Sequence, residues 1–243
     1  MYNEDDSIVI TFNGEIYNFK ELKEELIKKG HVFKNNSDTE VLIHGYEEYG
    51  KDMLNKLRGM FAFVIWDSNK KELFGARDFF GIKPFYYTIV NGNLVFASEI
   101  KSILEYPGVE REVNRDALEN YLSFQYSVLP ETMFKGIFKL MPSHCFTFKD
   151  GKMNIERYWD PMFDDAGKDK TFDETVEIID NAMQDSIKAH KISDVEVGSF
   201  LSSGVDSSYV AACFKGDKTF TVGFDAEYPP YGYMDDNGDY TGF

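Results

Sequence analysis

FLSSGVDSSYV, residues 200–210, decides how the second half of this 243-residue chain is read. A hydrophobic run over 195–201 enters a turn of small, hydroxyl-bearing residues with one glycine and one aspartate, and a segment with Val210, Ala211 and Phe214 follows. The pattern predicts a strand over 195–201, a helix from about Ser207 to Phe214 and a second strand over 219–224. That β-turn-α-β order opens a parallel, doubly wound sheet, in which ligands bind at the carboxyl ends of the strands. Small residues let the backbone approach an anion, Gly204 permits a conformation that other residues resist, and the following helix aims free N–H groups and its positive dipole end at the turn. Phosphate oxygens fit there. An ordinary strand-to-helix connection, with Asp206 or Ser207 as N-cap, accounts for the same residues.

Upstream, a helix is expected over 172–188, with Val176, Ile179, Met183 and Ile187 on one stripe, preceded by a polar linker, PMFDDAGKDK. The first 160 residues read differently. Residues 8–12 form a strand, Asn18 and Glu21 a capping box for a helix that shares Phe19, Leu22, Leu26 and Ile27 on one face, and Ser37 and Glu40 a second capping box. Short β-rich runs follow at 60–66, 72–76, 84–89 and 94–97. Asn91-Gly92 and Asp150-Gly151 set tight hairpins, the second between 145–148 and 152–155. Helices plus a largely antiparallel sheet system result.

Composition bounds the function. With 43% apolar and 16% aromatic residues the chain builds a core, and its formal charge of −16 argues against nucleic acid as partner. The longest apolar run, 60–66, is too short to cross a bilayer, and MYNEDDSIVI has neither a basic n-region nor an apolar h-region, so a cytoplasmic location is expected. Two cysteines, Cys145 and Cys213, make no disulfide framework and read as packing residues. The four histidines lack HxxxH or CxxC spacing, which speaks against zinc, and His31 reads as a strand residue. Phe61, Phe63, Ile65 and Phe79 read as sheet packing.

The spacing Ser202-x-Gly204-x-Asp206-Ser207 resembles the pyrophosphate loop of the ATP pyrophosphatases, which cut ATP between its α and β phosphates. TFNGEIYNF sets an Asn-Gly-Glu after a strand, and with SDTE at 37–40, RGMFAFVIWD at 58–67, ARDFFGIKPFYY at 76–87 and FASEIKSIL at 96–104 it resembles the glutaminase domain of glutamine-hydrolysing asparagine synthetases. The resemblance runs over about 1–225. It implies an incomplete N-terminal-nucleophile domain, an αββα sandwich, over 1–160, and the start of a parallel-sheet ATP-pyrophosphatase domain over 161–225. It also implies a reaction in which ammonia from glutamine attacks an aspartyl-AMP ester made with ATP and Mg²⁺, releasing AMP and pyrophosphate. Carried over, the Asn13 amide and the Gly14 N–H form the oxyanion hole, and Glu15 and Asp38 hold the glutamine ammonium. Ser202, Ser203, Gly204, Val205, Asp206, Ser207 and Ser208 surround the pyrophosphate, with Asp206 near Mg²⁺, and Leu201 and Val222 match positions that pack adenine. Asn13-Gly14 is equally expected as a turn, Asp38 as a helix-start carboxylate, and Leu201 and Val222 as buried strand residues.

The chain departs from that family at both ends. The family's nucleophile is an N-terminal cysteine, whereas position 1 is Met, so the polypeptide alone is expected to lack glutaminase activity. The segment 226–243, with its DDNGDYTGF, resembles the opening of an amino-acid-binding protein of ABC importers, as if two coding segments were joined. Non-catalytic binding by a fragment or pseudoenzyme, and amidation of another acid, are the alternative readings. A homodimer is one option for assembly.

Overall fold

The computed structural model describes residues 1–163, 168–193, 195–202 and 204–214 in full, and the backbone alone of 219–221, 227–228, 232–234 and 240–241. Two residues assigned to the nucleotide site, Ser203 and Val222, lie outside the described residues. The chain divides into two compact units, 1–163 and 164–243.

In the first unit β1 (Ile8–Ile16) leads to α1 (Phe19–Lys28) and α2 (Asp38–Tyr49), and a 3-10 segment (Gly50–Lys56) returns the chain to β2 (Gly59–Asp67). Then come β3 (Glu72–Arg77), the hairpin of β4 (Tyr86–Val90) and β5 (Asn93–Ala97), α3 (Ile100–Leu104), α4 (Arg115–Phe124), β6 (Phe138–Lys139), and the hairpin of β7 (His144–Lys149) and β8 (Lys152–Arg157). The order β1-β2-β3-β7-β8 makes one antiparallel sheet and β5-β4-β6 a second. Because successive side chains of a strand point to opposite faces, β2 serves both layers. Phe61, Phe63 and Ile65 pack with Leu22, Leu26 and Val41 of the helices, while Ala62 and Val64 pack with Phe85, Leu140 and Phe146 beneath the second sheet. Helices, large sheet and small sheet thus stack in that order, the incomplete αββα arrangement expected.

Local chemistry explains most boundaries. Asn91 and Gly92 have φ of 51° and 78°, and Asp150 and Gly151 52° and 73°, the paired left-handed residues a two-residue hairpin needs. The expected capping box at Asn18 does not form. The Asn18 side chain instead donates to the Lys56 carbonyl and accepts from the Arg58 N–H, both at 2.9 Å, so a tertiary stitch has displaced the local cap. Ile27, expected on the buried face, is 49% exposed. Ser37 does cap α2 by accepting from Thr39 N, but Glu40 turns to the preceding loop and accepts from the N–H groups of Lys34 and Asn35. His31 lies in that loop rather than in a strand.

The second unit begins with α5 (Phe172–His190), opened by a capping box in which Thr171 and Glu174 exchange hydrogen bonds. Its apolar stripe is not buried. After it, β9 (Ser199–Leu201), α6 (Val205–Phe214) and β10 (Thr219–Thr221) form the expected parallel unit, with β10 beside β9 in register from Thr219 and Ser199. The first strand is shorter than its apolar run. The backbone of β11 (Glu227–Tyr228), β12 (Gly232–Met234) and β13 (Tyr240–Thr241) makes a small antiparallel sheet.

Candidate active site

The strand β1 is an edge of the large sheet, and the direction of its amides is fixed by alternation. Ile10 N–H bonds Met1 O and Ile16 N–H bonds a carboxylate of α2, so the even-numbered amides point away from β2, whereas Tyr17 N–H bonds Arg58 O on the β2 side. Gly14 N–H therefore faces the open edge, two residues from Ile16 N–H and on its side. That carboxylate is Asp38, whose Oδ2 accepts from Ile16 N at 3.0 Å. The first residue of α2 is thus held at the same edge as Gly14. A Cβ on Gly14 would lie 2.2 Å from Met60 O and 2.7 Å from Phe61 Cα, so the close approach of β2 alone requires glycine here.

Asn13 and Glu15 project from the face opposite the helices. Asn13 lines a cavity of about 340 Å³ between the two sheets, together with Thr11, Phe63, Phe85, Phe96 and Ser98. Its Nδ2 donates to Ser98 Oγ at 3.0 Å, which uses one of the two amide hydrogens and leaves the other for a ligand. Sequence reasoning missed Ser98, although it lies in FASEIKSIL. Gly14, Glu15 and Asp38 do not line this cavity; Gly14 and Glu15 follow Asn13 along β1, and Asp38 meets that strand at Ile16 N–H. The far wall depends on half-buried Arg77, which donates to the carbonyls of Lys83, Gly81 and Leu140, and on buried Asp78, which accepts from the N–H groups of Phe61, Phe80, Ile82 and Lys83. Burial lowers the Arg77 pKa while the Asp78 carboxylate opposes that shift. This pair shapes the turn that delivers Pro84 and Phe85 to the cavity.

Cys145 does not line this cavity. Cys145 is 1% exposed in β7, and burial, reinforced by the Glu156 carboxylate, pushes its thiol up to about 12. Cys213 is on α6 in the other unit.

In the second unit, Ser202, Gly204 and the first turn of α6 follow the carboxyl end of β9. Ser207 Oγ lies 3.1 Å from Ser202 Oγ, accepts from Ser202 N at 3.2 Å and donates to Gly204 O at 3.1 Å. The turn is closed on itself by hydroxyls. Ser202, Gly204, Val205, Asp206 and Ser208 are exposed, and Leu201 is half-buried at the strand end. A Cβ on Gly204 would meet only hydroxyl oxygens at 3.7 and 3.9 Å, so space alone does not demand glycine. Exposed Asp206, an oxygen donor among hydroxyls at a helix start, fits a hard cation held chiefly through phosphate and water.

Comparison with known proteins converges on these two regions. Residues 1–159 match the family of glutamine amidotransferase domains, and residues 179–240 match asparagine synthase. Asparagine synthetase [glutamine-hydrolyzing] 1 of Bacillus subtilis is 44% identical over 229 residues, covering 92% of this chain and 36% of that protein. A second B. subtilis asparagine synthetase, number 3, is 41% identical over 87% of this chain and 34% of its own length. Amidase chyE of Penicillium rubens is 34% identical over 86% of this chain and 31% of its own. The chain therefore spans about a third of the length of these relatives. The structure of B. subtilis glutamine phosphoribosylpyrophosphate amidotransferase with ADP and GMP aligns over 92% of this chain and 47% of that one, at 19% identity and a TM-score of 0.46.

Proposed function

Because the chain belongs to the family of glutamine amidotransferase domains, we propose that its first unit binds glutamine at the rim of β1 and that it forms part of a glutamine-hydrolysing asparagine synthetase. The observation that carries this reading is the meeting of Gly14 N–H and the Asp38 carboxylate on one strand edge, with the Asn13 amide at the cavity beside it. Two N–H donors there suit the oxyanion formed when the side-chain amide of glutamine is attacked, and Glu15 and Asp38 suit its ammonium. Ile16 N–H occupies Oδ2 of Asp38, while Oδ1 accepts only long contacts from the Ser37 and Thr39 hydroxyls, at 3.5 and 3.4 Å, and keeps acceptor capacity for an ammonium. Cys145, buried in β7 with its thiol pushed up to about 12, is not suited to be the nucleophile of that attack.

In the whole enzyme, ammonia would pass to an acid activated by ATP. Ser202, Ser203, Gly204, Val205, Asp206, Ser207 and Ser208 would hold the nucleotide's phosphates, Leu201 and Val222 its adenine, and Asp206 the accompanying Mg²⁺, which when bound neutralises phosphate charge. Aspartate is the acceptor we favour, by likeness to the asparagine synthetases; the likeness to an amidase supports a related amidotransferase acting on another acid as the second reading. A cytoplasmic enzyme fits, and no described helix is long and apolar enough to cross a membrane.

Calorimetric titration with L-glutamine tests the binding claim. Asp38→Ala removes a charge-assisted contact worth about 1.5–3 kcal/mol, and so weakens binding at least tenfold. Asn13→Ala, which leaves the ammonium contacts in place, weakens it less. Affinity that both substitutions leave unchanged places glutamine elsewhere and ends the proposal.

A further inference from the structure

Away from the glutamine rim, three segments bring two imidazoles and several carboxylates together. Donor atoms of Glu4, from the turn before β1, His31, from the loop after α1, and His44, from α2, all lie within 4.8 Å of one another. His44 is the fixed member, its side chain 2% exposed and edge-on to Phe33 at 4.6 Å. Its Nδ1 faces Glu47 Oε2 at 2.8 Å and Glu4 Oε2 at 3.7 Å, while its buried Nε2 has no hydrogen-bond partner and has Glu40 Oε1 at 3.8 Å. With its hydrogen on Nε2, toward Glu40, His44 offers the Nδ1 lone pair to the side where Glu4 and Glu47 lie, and His31 Nδ1 approaches the same Glu47 Oε2 at 3.7 Å. The His31 ring lies 5.0 Å from the His44 ring, and Glu4 Oε2 is 3.7 Å from His44 Nδ1.

Charge balance favours a cation. Glu48 is neutralised by Lys29 at 2.7 Å, and Glu40 is occupied by the N–H groups of Lys34 and Asn35. Glu47 has the Asn3 amide at 2.7 Å and the His31 and His44 rings beside it but, among the described residues, no lysine or arginine ion pair, and Glu4 likewise has none among them. Two carboxylates beside two imidazoles, on a chain of net charge −16, attract positive charge, and nitrogen donors select a borderline transition ion over Mg²⁺ or Ca²⁺. We propose that Glu4, His31 and the Nδ1 of His44 bind a divalent transition-metal ion such as Zn²⁺, with the Glu47 carboxylate beside them as a further oxygen donor. Bonds of about 2.0–2.1 Å in tetrahedral geometry set donors about 3.3 Å apart. Closing the present separation needs small movements of Glu4 and His31, which lie on an exposed turn and a loop, and none of His44. The ion would tie the start of the chain and the α1–α2 loop to the helix that presents Asp38.

Co²⁺ added to untagged, metal-stripped protein reports ligation directly. The expected result is saturable one-to-one binding with a visible d–d band of tetrahedral intensity and no thiolate charge-transfer band. Zn²⁺ should displace the Co²⁺ and raise the melting temperature. His31→Gln and Glu4→Gln, at sites that tolerate change, weaken binding at least tenfold, while Asp206→Ala leaves it unchanged. A thiolate band, binding weaker than millimolar, or affinity unaffected by His31→Gln overturns the proposal and leaves the cluster an ion-pair network.

Discussion

Cys145 shows how position decides what a side chain can do. Its sulfur is 3.8 Å from Glu156 Oε1 inside β7, and a thiol pushed up to about 12 is almost wholly protonated at pH 8. Iodoacetamide at pH 8 should therefore label Cys213, on a half-exposed helix, at least tenfold faster than Cys145, with the difference vanishing in denaturant; equal labelling of the native protein would contradict this environment. The packing role was legible because Cys145 alternates within an apolar strand. Asn13 and Gly14, expected after a strand over 8–12 or as a turn, lie inside the longer β1, whereas Asp38 does start a helix; the glutamine roles given to them rest on the family resemblance and not on local pattern. Ser98 was not legible, because its value lies in meeting Asn13 across 85 residues, a relation no local pattern encodes. The His31–His44 pair was hidden for the same reason, since ligand spacing along the chain misses residues gathered from three segments.

At the scale of elements, the turn after β3 shows a family signature serving as scaffold. Asp78, 1% exposed, accepts four N–H groups, and its own carbonyl takes those of Gly81 and Ser143. Stranding several buried donors costs about 1–3 kcal/mol each where water cannot replace the acceptor. Asp78→Ala should destabilise the first unit by about 3–5 kcal/mol in urea unfolding and weaken glutamine binding only through the displaced cavity wall; a loss under 1 kcal/mol would show the turn holds without it. The hairpins at Asn91-Gly92 and Asp150-Gly151 were legible because the left-handed requirement is met by those two residues alone. Less local elements were not. The helix α4 escaped notice although Asn114 caps it by accepting from Ala117 N and Ala117, Leu118, Tyr121 and Leu122 recur at helical spacing; only Ala117 of these is buried. The Asn18 cap failed because a partner 38 to 40 residues away outcompeted the helix end.

Across the molecule, the two units carry unlike chemistry on unlike sheets. The first is antiparallel and layered, with the proposed glutamine rim on an edge strand; the second has the parallel pair of β9 and β10, with a hydroxyl-rich turn at the carboxyl end of β9, and a small antiparallel sheet. The switch from one architecture to the other was legible in the change of apolar pattern near residue 160, close to the division at 163 and 164. The central claim is that glutamine sits at the β1 rim, and amide NMR of the labelled chain during a glutamine titration tests it most directly. The account predicts saturable shifts of the Gly14 and Ile16 backbone amides and of the Asn13 side-chain amide, with α6 unmoved. Shifts confined to the second unit, or none at the β1 edge while glutamine binds, would contradict it.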